Sequence, residues 1–85
     1  MTNVTIYTTP LCPYCAKAKS LLKRKNASFT EIDVSDDEAA REAMRVRASG
    51  RNSVPQIFVG STHVGGCDDI HALESQGKLD ALLAA

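Results

Sequence analysis

Eighty-five residues with 44% apolar and 24% charged side chains describe one folded domain spanning residues 1–85, not a disordered chain. Ten basic and ten acidic side chains cancel, and with only four aromatics (Tyr7, Tyr14, Phe29 and Phe58) the chain lacks the charge excess and stacking platform of a nucleic-acid binder. The longest apolar run, Ala81 to Ala85, is far short of the roughly 20 residues of a membrane span, and Met1-Thr2-Asn3-Val4 shows no secretory signal, so neither membrane insertion nor secretion is expected.

Val4-Thr5-Ile6-Tyr7 alternates branched apolar and polar residues, which predicts a first strand. From Pro13 to Lys25 the apolar Cys15, Ala18 and Leu22, with Leu21 alongside, recur at helical spacing. Residues 1–25 carry Lys17, Lys19, Lys23, Arg24 and Lys25 and no acid, so this region has a positive local field. Asn26-Ala27 breaks the helix, and Phe29 to Val34 reads as a second strand. Ser35-Asp36-Asp37-Glu38 has the pattern of a capping box for a second helix. Ala40, Ala43 and Met44 would form its buried stripe, and Ser49-Gly50 would end it.

Gln56-Ile57-Phe58-Val59 and Thr62-His63-Val64 flank Gly60-Ser61, a two-residue hairpin turn. After Gly65-Gly66, Asp68 and Asp69 sit where a helix start favours negative charge, with Ile70 and Leu73 facing inward. Gly77 stops this helix, and Leu79, Leu82 and Leu83 supply a last apolar turn. The order β-α-β-α-β-β-α predicts an α/β fold: a four-stranded mixed sheet, the first two strands parallel and the last two antiparallel, with helices on both faces.

Three cysteines do not make a disulfide framework, which needs an even number. Two of them form Cys12-Pro13-Tyr14-Cys15 at the end of the first strand, the position of a thioredoxin-like redox motif in a reducing compartment. With Pro13 as the first helical residue, Cys12 becomes the N-cap. Its sulfur can then accept from the N–H groups of Tyr14 and Cys15 at the positive end of the helix dipole, with Lys17 and Lys19 within two turns. These effects favour the Cys12 thiolate and lower its pKa, while Cys15 points inward as a shielded thiol. Cys12 is therefore the expected nucleophile and Cys15 the resolving thiol. The alternative is half of a zinc site, for which only Cys67, His63 and His71 remain as further ligands.

Cys12-Pro13-Tyr14-Cys15, Ser53-Val54-Pro55 and Gly65-Gly66-Cys67-Asp68-Asp69, in this order and spacing, resemble the dithiol glutaredoxins across essentially the whole chain, and most closely the bacterial glutaredoxin 3 type. The resemblance implies a thioredoxin-like fold and a glutathione-dependent thiol–disulfide oxidoreductase of the cytoplasm. It implies glutathione as reducing co-substrate, no resident metal, and glutathionylated or disulfide-containing proteins as substrates. Glutathione reductase and NADPH would act indirectly, and the chain would work as a monomer with neither nucleic acid nor membrane as partner. It further implies a cis Pro55, so that Val54 offers its backbone to the cysteinyl part of glutathione. Gly65 and Gly66 would allow close approach, the N–H groups of Cys67 and Asp68 would hold the γ-glutamyl carboxylate, the Asp68 side chain would accept from the ligand ammonium, and Tyr14 would line the groove.

This chain departs from the family pattern in having no lysine in Thr8-Thr9-Pro10-Leu11, where many glutaredoxins have one that binds the glycine carboxylate; Arg41 or Arg45 would substitute. Ser53 stands for the usual threonine. Cys67 has two readings: a small apolar residue at a helix start, or a second oxidisable thiol whose pKa the helix start lowers. Competing functions are a redoxin charged by thioredoxin reductase, and an iron–sulfur carrier bridging two chains through Cys12.

Overall fold

The computed structural model describes residues 3–85; Met1 and Thr2, part of the segment read for a signal, lie outside the described residues. Four strands, β1 (Val4–Thr8), β2 (Phe29–Asp33), β3 (Gln56–Val59) and β4 (Thr62–Gly65), form one sheet in the order β2-β1-β3-β4. The helices are α1 (Pro13–Arg24), α2 (Glu38–Arg47), α3 (Cys67–Ser75) and α4 (Leu79–Ala84). β1 runs parallel to β2, with Val4 opposite Phe29 and Thr8 opposite Asp33, and antiparallel to β3. The β3–β4 hairpin turns through Gly60-Ser61. The sheet is therefore mixed, as expected, and the Cα radius of gyration is 11.9 Å. Among the described residues no helix is long and apolar enough to cross a membrane.

Strand alternation divides the core in two. Val4, Ile6, Ile57 and Val59 pack against Ala18, Leu21 and Leu22 of α1, Ile70 of α3, and Leu79 and Leu83 of α4. On the other face Tyr7, Ile32 and Phe58 meet Ala40 and Met44 of α2 and Ala48 at its end. Helices thus cover both faces. α1 stops at Lys25, after which Asn26 takes a left-handed φ of 56° and the Ala27 N–H returns to the Leu22 carbonyl at 3.0 Å. Lys25 Nζ then reaches Glu74 at 2.7 Å and Asp80 at 3.0 Å, tying α3 and α4 to the end of α1.

Three local expectations are corrected. The cap of α2 is Asp37, not Ser35: Asp37 Oδ1 accepts from the Ala40 N–H at 2.9 Å and Glu38 is the first helical residue. The Ser35 N–H is already engaged by Asp33 Oδ1 at 2.8 Å, an Asx turn that keeps Ser35 outside the helix. With the helix set in this frame, Ala43 is exposed, Ala40 is half-buried, and Ala48 joins Met44 on the inner face. The last apolar turn is a separate helix, α4, because Gly77 at φ 71° turns the chain before Leu79.

Candidate active site

A left-handed turn at Leu11 (φ 57°) leads from β1 to Cys12, the extended N-cap residue of α1 (φ −111°), with Pro13 at the first turn. Proline is preorganised for that position and lacks the N–H that would otherwise be orphaned there. Cys12 and Cys15 form a disulfide with Cα atoms 5.2 Å apart. Cys12 Sγ accepts from the Cys15 N–H at 3.1 Å, and no acid occupies the first turn. Of the two N–H donors expected at Cys12, this is the one that bonds. Cys12 is half-buried, whereas Cys15 is 2% exposed beneath it. The outer sulfur is thus open to attack and the inner one is shielded.

Lys19, expected to support the Cys12 charge, is largely spoken for. Its Nζ donates to Glu31 Oε2 at 3.0 Å, an oxygen that also accepts from Thr8 Oγ1 at 2.7 Å. The Thr8 hydroxyl first, and Lys19 second, hold the Glu31 carboxyl below its ordinary range. Lys19 is thus turned toward Glu31, while the Cys15 N–H at the helix start is the contact made to Cys12 Sγ.

A cleft of about 290 Å³ meets the Cys12–Cys15 turn at Tyr14; neither cysteine lines it, and Cys12 borders a separate depression with Leu11, Pro13, Ala16 and Lys19. The structure places in its wall Tyr14 from α1, Val54 and Pro55 from the loop before β3, and Gly66, Cys67 and Asp68 from the start of α3, whereas Gly65, also expected at the ligand, does not line it and instead makes room for the Asp69 carboxylate. The Val54–Pro55 bond is cis. Among the described residues, Val54 makes no main-chain hydrogen bond, and the N–H groups of Cys67 and Asp68 likewise have no acceptor. Those N–H groups point from a helix N-terminus, where an anion is favoured.

Asp68 and Asp69 take different parts. Asp69 Oδ2 accepts from the Gly66 N–H at 2.8 Å and from Arg51 Nη1 at 3.3 Å, so it caps α3. The Asp68 side chain is exposed, with no hydrogen bond or ion pair among the described residues. The Gly66 N–H first, with Arg51 adding to it, holds the Asp69 carboxyl below its ordinary range. A depressed folded-state value means that Asp69 stabilises the fold above its unfolded pKa near ~4 and that this contribution is lost as pH falls through the folded value. Asp69→Ala is expected to cost about 1 kcal/mol at pH 7. Urea unfolding at pH 7 and at low pH should show the gap between the two proteins closing in acid.

Arg51, Ser53 and Asp69 line the cleft beyond the expected set. Arg51 is the basic side chain there, and its position two residues before Ser53 was the available signal. Arg41 and Arg45 do not line it. Arg41 donates to the Asn52 side chain at 2.9 Å and main chain at 2.8 Å, and Arg45 pairs with Glu38 and Glu42 and donates to Asn52. Both buttress the loop that leads to Ser53.

Cys67, the first residue of α3, is 8% exposed, and burial pushes its thiol up, outweighing the nearby Lys17 charge. Burial and this upward push favour the packing reading over that of a reactive thiol. Mass mapping of iodoacetamide adducts on the reduced protein should find Cys67 modified at least about tenfold more slowly than Cys12 at pH 7. Comparable rates would restore a redox role. Among the described residues no group of three His, Cys, Asp or Glu side chains could hold a metal ion.

A family model described as glutaredoxin matches residues 4–64. Glutaredoxin 3 of Escherichia coli (strain K12) is 52% identical over 83 residues, covering 98% of this chain and 99% of that protein. The solution structure of glutaredoxin from Brucella melitensis superposes with a TM-score of 0.85 at 63% identity, over 98% of this chain and 89% of that one. A crystal structure of a buckwheat glutaredoxin–glutathione complex superposes with a TM-score of 0.86 at 30% identity, over 95% of this chain and 76% of that one. A dithiol at a helix start, a four-stranded mixed sheet of thioredoxin type and full-length relatives of one kind converge: the chain belongs to the glutaredoxin family and is a thiol–disulfide oxidoreductase.

Proposed function

We propose that the chain uses glutathione as its electron donor, reducing protein–glutathione mixed disulfides and protein disulfides in the cytoplasm, as a monomer. One observation carries the reading: the cleft that meets the dithiol turn at Tyr14 presents free main-chain groups of Val54, Cys67 and Asp68, a free Asp68 carboxylate and the Arg51 guanidinium together. That set suits an extended peptide bearing both an α-carboxylate and an ammonium. The buckwheat glutaredoxin solved with glutathione supports it by analogy.

In this reading, Val54 pairs with the cysteinyl part of glutathione through its backbone, as an added strand would. The N–H groups of Cys67 and Asp68 hold the γ-glutamyl carboxylate, and Asp68 accepts from the neighbouring ammonium. Arg51 adds positive charge beside Asp69 at this γ-glutamyl end, a different contact from the glycine carboxylate for which Arg41 or Arg45 was expected. Gly66 gives the ligand access to the helix start, and Tyr14 and Pro55 form the apolar sides.

The Cys12 thiolate attacks the glutathione sulfur of a mixed disulfide. A Cys12–glutathione disulfide forms, and the substrate protein leaves as a thiolate that takes a proton from solvent. A second glutathione, as thiolate, attacks the glutathione sulfur of that adduct, giving glutathione disulfide and restoring the Cys12 thiolate. For a protein disulfide, Cys12 first forms a mixed disulfide with the substrate. Cys15 then attacks Cys12, releases the second substrate thiol and closes the Cys12–Cys15 disulfide, which two glutathiones reopen.

The test is reduction of a small glutathione mixed disulfide, coupled to glutathione reductase and NADPH, with a parallel run on thioredoxin reductase. Turnover that requires glutathione and saturates with it is the expected result. Turnover only with thioredoxin reductase would overturn the assignment of the donor.

A further inference from the structure

Gln56 opens β3 with a side chain that is completely buried, and a buried amide is costly unless all its polar atoms are partnered. Its Nε2 donates to the Ser53 carbonyl oxygen at 2.9 Å and approaches Ser53 Oγ at 3.3 Å. A carbonyl can only accept, so this contact fixes which way the amide faces. Gln56 Oε1 must then point away from Ser53, and it lies 2.7 Å from His63 Nε2 on β4. An amide oxygen also only accepts, so His63 must carry its proton on Nε2. The ring is held for this by stacking on Phe58, with centroids 4.8 Å apart and planes at 21°. Arg47 covers Phe58 as well, at 4.1 Å, and donates to Tyr7 Oη at 3.0 Å.

The relay ends at Ser53, directly before the Val54–Pro55 segment that walls the cleft. We propose that Gln56 and His63 are positioning residues for the cleft: neither lines it, but the His63 N–H orients the Gln56 amide, and the amide fixes the Ser53 carbonyl and with it the direction of the Val54 main chain. The inference rests on the reading of the cleft as the glutathione site. The charged groups facing His63 are Arg51, Asp69 and Arg47. Burial first, with Arg51 and Arg47 adding and Asp69 opposing, pushes the ring's pKa down. This push favours the neutral ring, whose one proton the Gln56 oxygen then places on Nε2.

His63→Phe keeps an aromatic ring on Phe58 and removes the donor, whereas His63→Gln offers a side-chain N–H in its place. In the coupled assay, His63→Phe should raise KM for glutathione about five- to tenfold while kcat stays within about twofold. Cys12 alkylation by iodoacetamide should be unchanged, because Cys12 belongs to α1. His63→Gln should bring KM back to within about twofold of the unsubstituted protein. Nitrogen-15 shifts of the unsubstituted protein should show the His63 proton on Nε2, a readout that does not depend on any variant folding. Three results would overturn the proposal: a proton on Nδ1, an unchanged KM in His63→Phe, or a fall of kcat and thermal stability together that His63→Gln does not rescue. A protein that never saturates with glutathione would instead remove the cleft assignment on which the relay depends.

Discussion

Cys12→Ser is expected to abolish reduction of both glutathione mixed disulfides and protein disulfides, by at least about a thousandfold. The fold should survive, because serine is a favoured N-cap and its hydroxyl can accept the Cys15 N–H that Cys12 Sγ now accepts at 3.1 Å. What is lost is chemical: a serine hydroxyl does not ionise near neutral pH even at a helix start. Cys15→Ser separates the two routes. Cys15 is 2% exposed on the inner side of α1, and a substrate disulfide reaches Cys12 first. Transfer of a glutathionyl group uses Cys12 alone and should stay within a few-fold of the unsubstituted rate. Reduction of a protein disulfide needs the inner thiol to release the substrate, and should fall at least about fiftyfold. Mass spectrometry of the Cys15→Ser protein mixed with an oxidised protein substrate should trap the Cys12–substrate mixed disulfide. Equal losses on the two substrates would mean that Cys15 takes part in both routes.

What was legible from the residues follows from how local each cause is. Pro13 after Cys12 sets a helix start by its own geometry, so the N-cap position of Cys12 could be read from four letters. Strand alternation at Val4–Tyr7 and the Gly60-Ser61 turn likewise announce themselves. The sequence pattern points to Ser35 as the cap of α2 because Ser35 and Asp37 both suit the position, and the choice turns on Asp33 engaging the Ser35 N–H. The cleft joins α1, the Ser53–Pro55 loop and the start of α3, three segments that no periodicity links; the family resemblance, not residue patterning, brought them together. Arg41 and Arg45 looked available because their partners, Glu38, Glu42 and Asn52, are chosen by tertiary placement. Gln56 was illegible for the same reason: a polar letter at the start of a strand does not reveal that it will be buried and joined to His63 seven residues on.

Gly65→Ala is expected to be the most destabilising of the small glycine substitutions, and comparison with its neighbours shows why. Gly65 sits at φ 118°, where an L side chain is strained, and a Cβ there would run into the Asp69 carboxylate and lie 3.0 Å from Arg51 Nη1. Alanine therefore meets two costs at once, the backbone conformation and displacement of the carboxylate that caps Gly66. Together these amount to about 2–4 kcal/mol, or a fall in Tm of at least ~10 °C for a domain of this size. Gly50 and Gly77 also have positive φ, 92° and 71°, yet a Cβ at either meets nothing within 4 Å. Alanine at those positions should cost only the conformational part, about 1 kcal/mol. Gly66 has a negative φ, and its Cβ would lie 3.4 Å from the Pro55 carbonyl oxygen. Gly66→Ala should thus fold nearly normally while placing a methyl group at the cleft wall, raising KM for glutathione with little change in Tm. Thermal unfolding of the four variants, followed by the coupled assay on those that fold, separates these effects. If Gly65→Ala lost no more than Gly77→Ala, the contact with Asp69 would carry no energy and the cap would not depend on the missing side chain. The larger loss would show that the sharp turn out of β4 and the start of α3 are one unit, in which the glycine makes room for the carboxylate that holds the helix end in place.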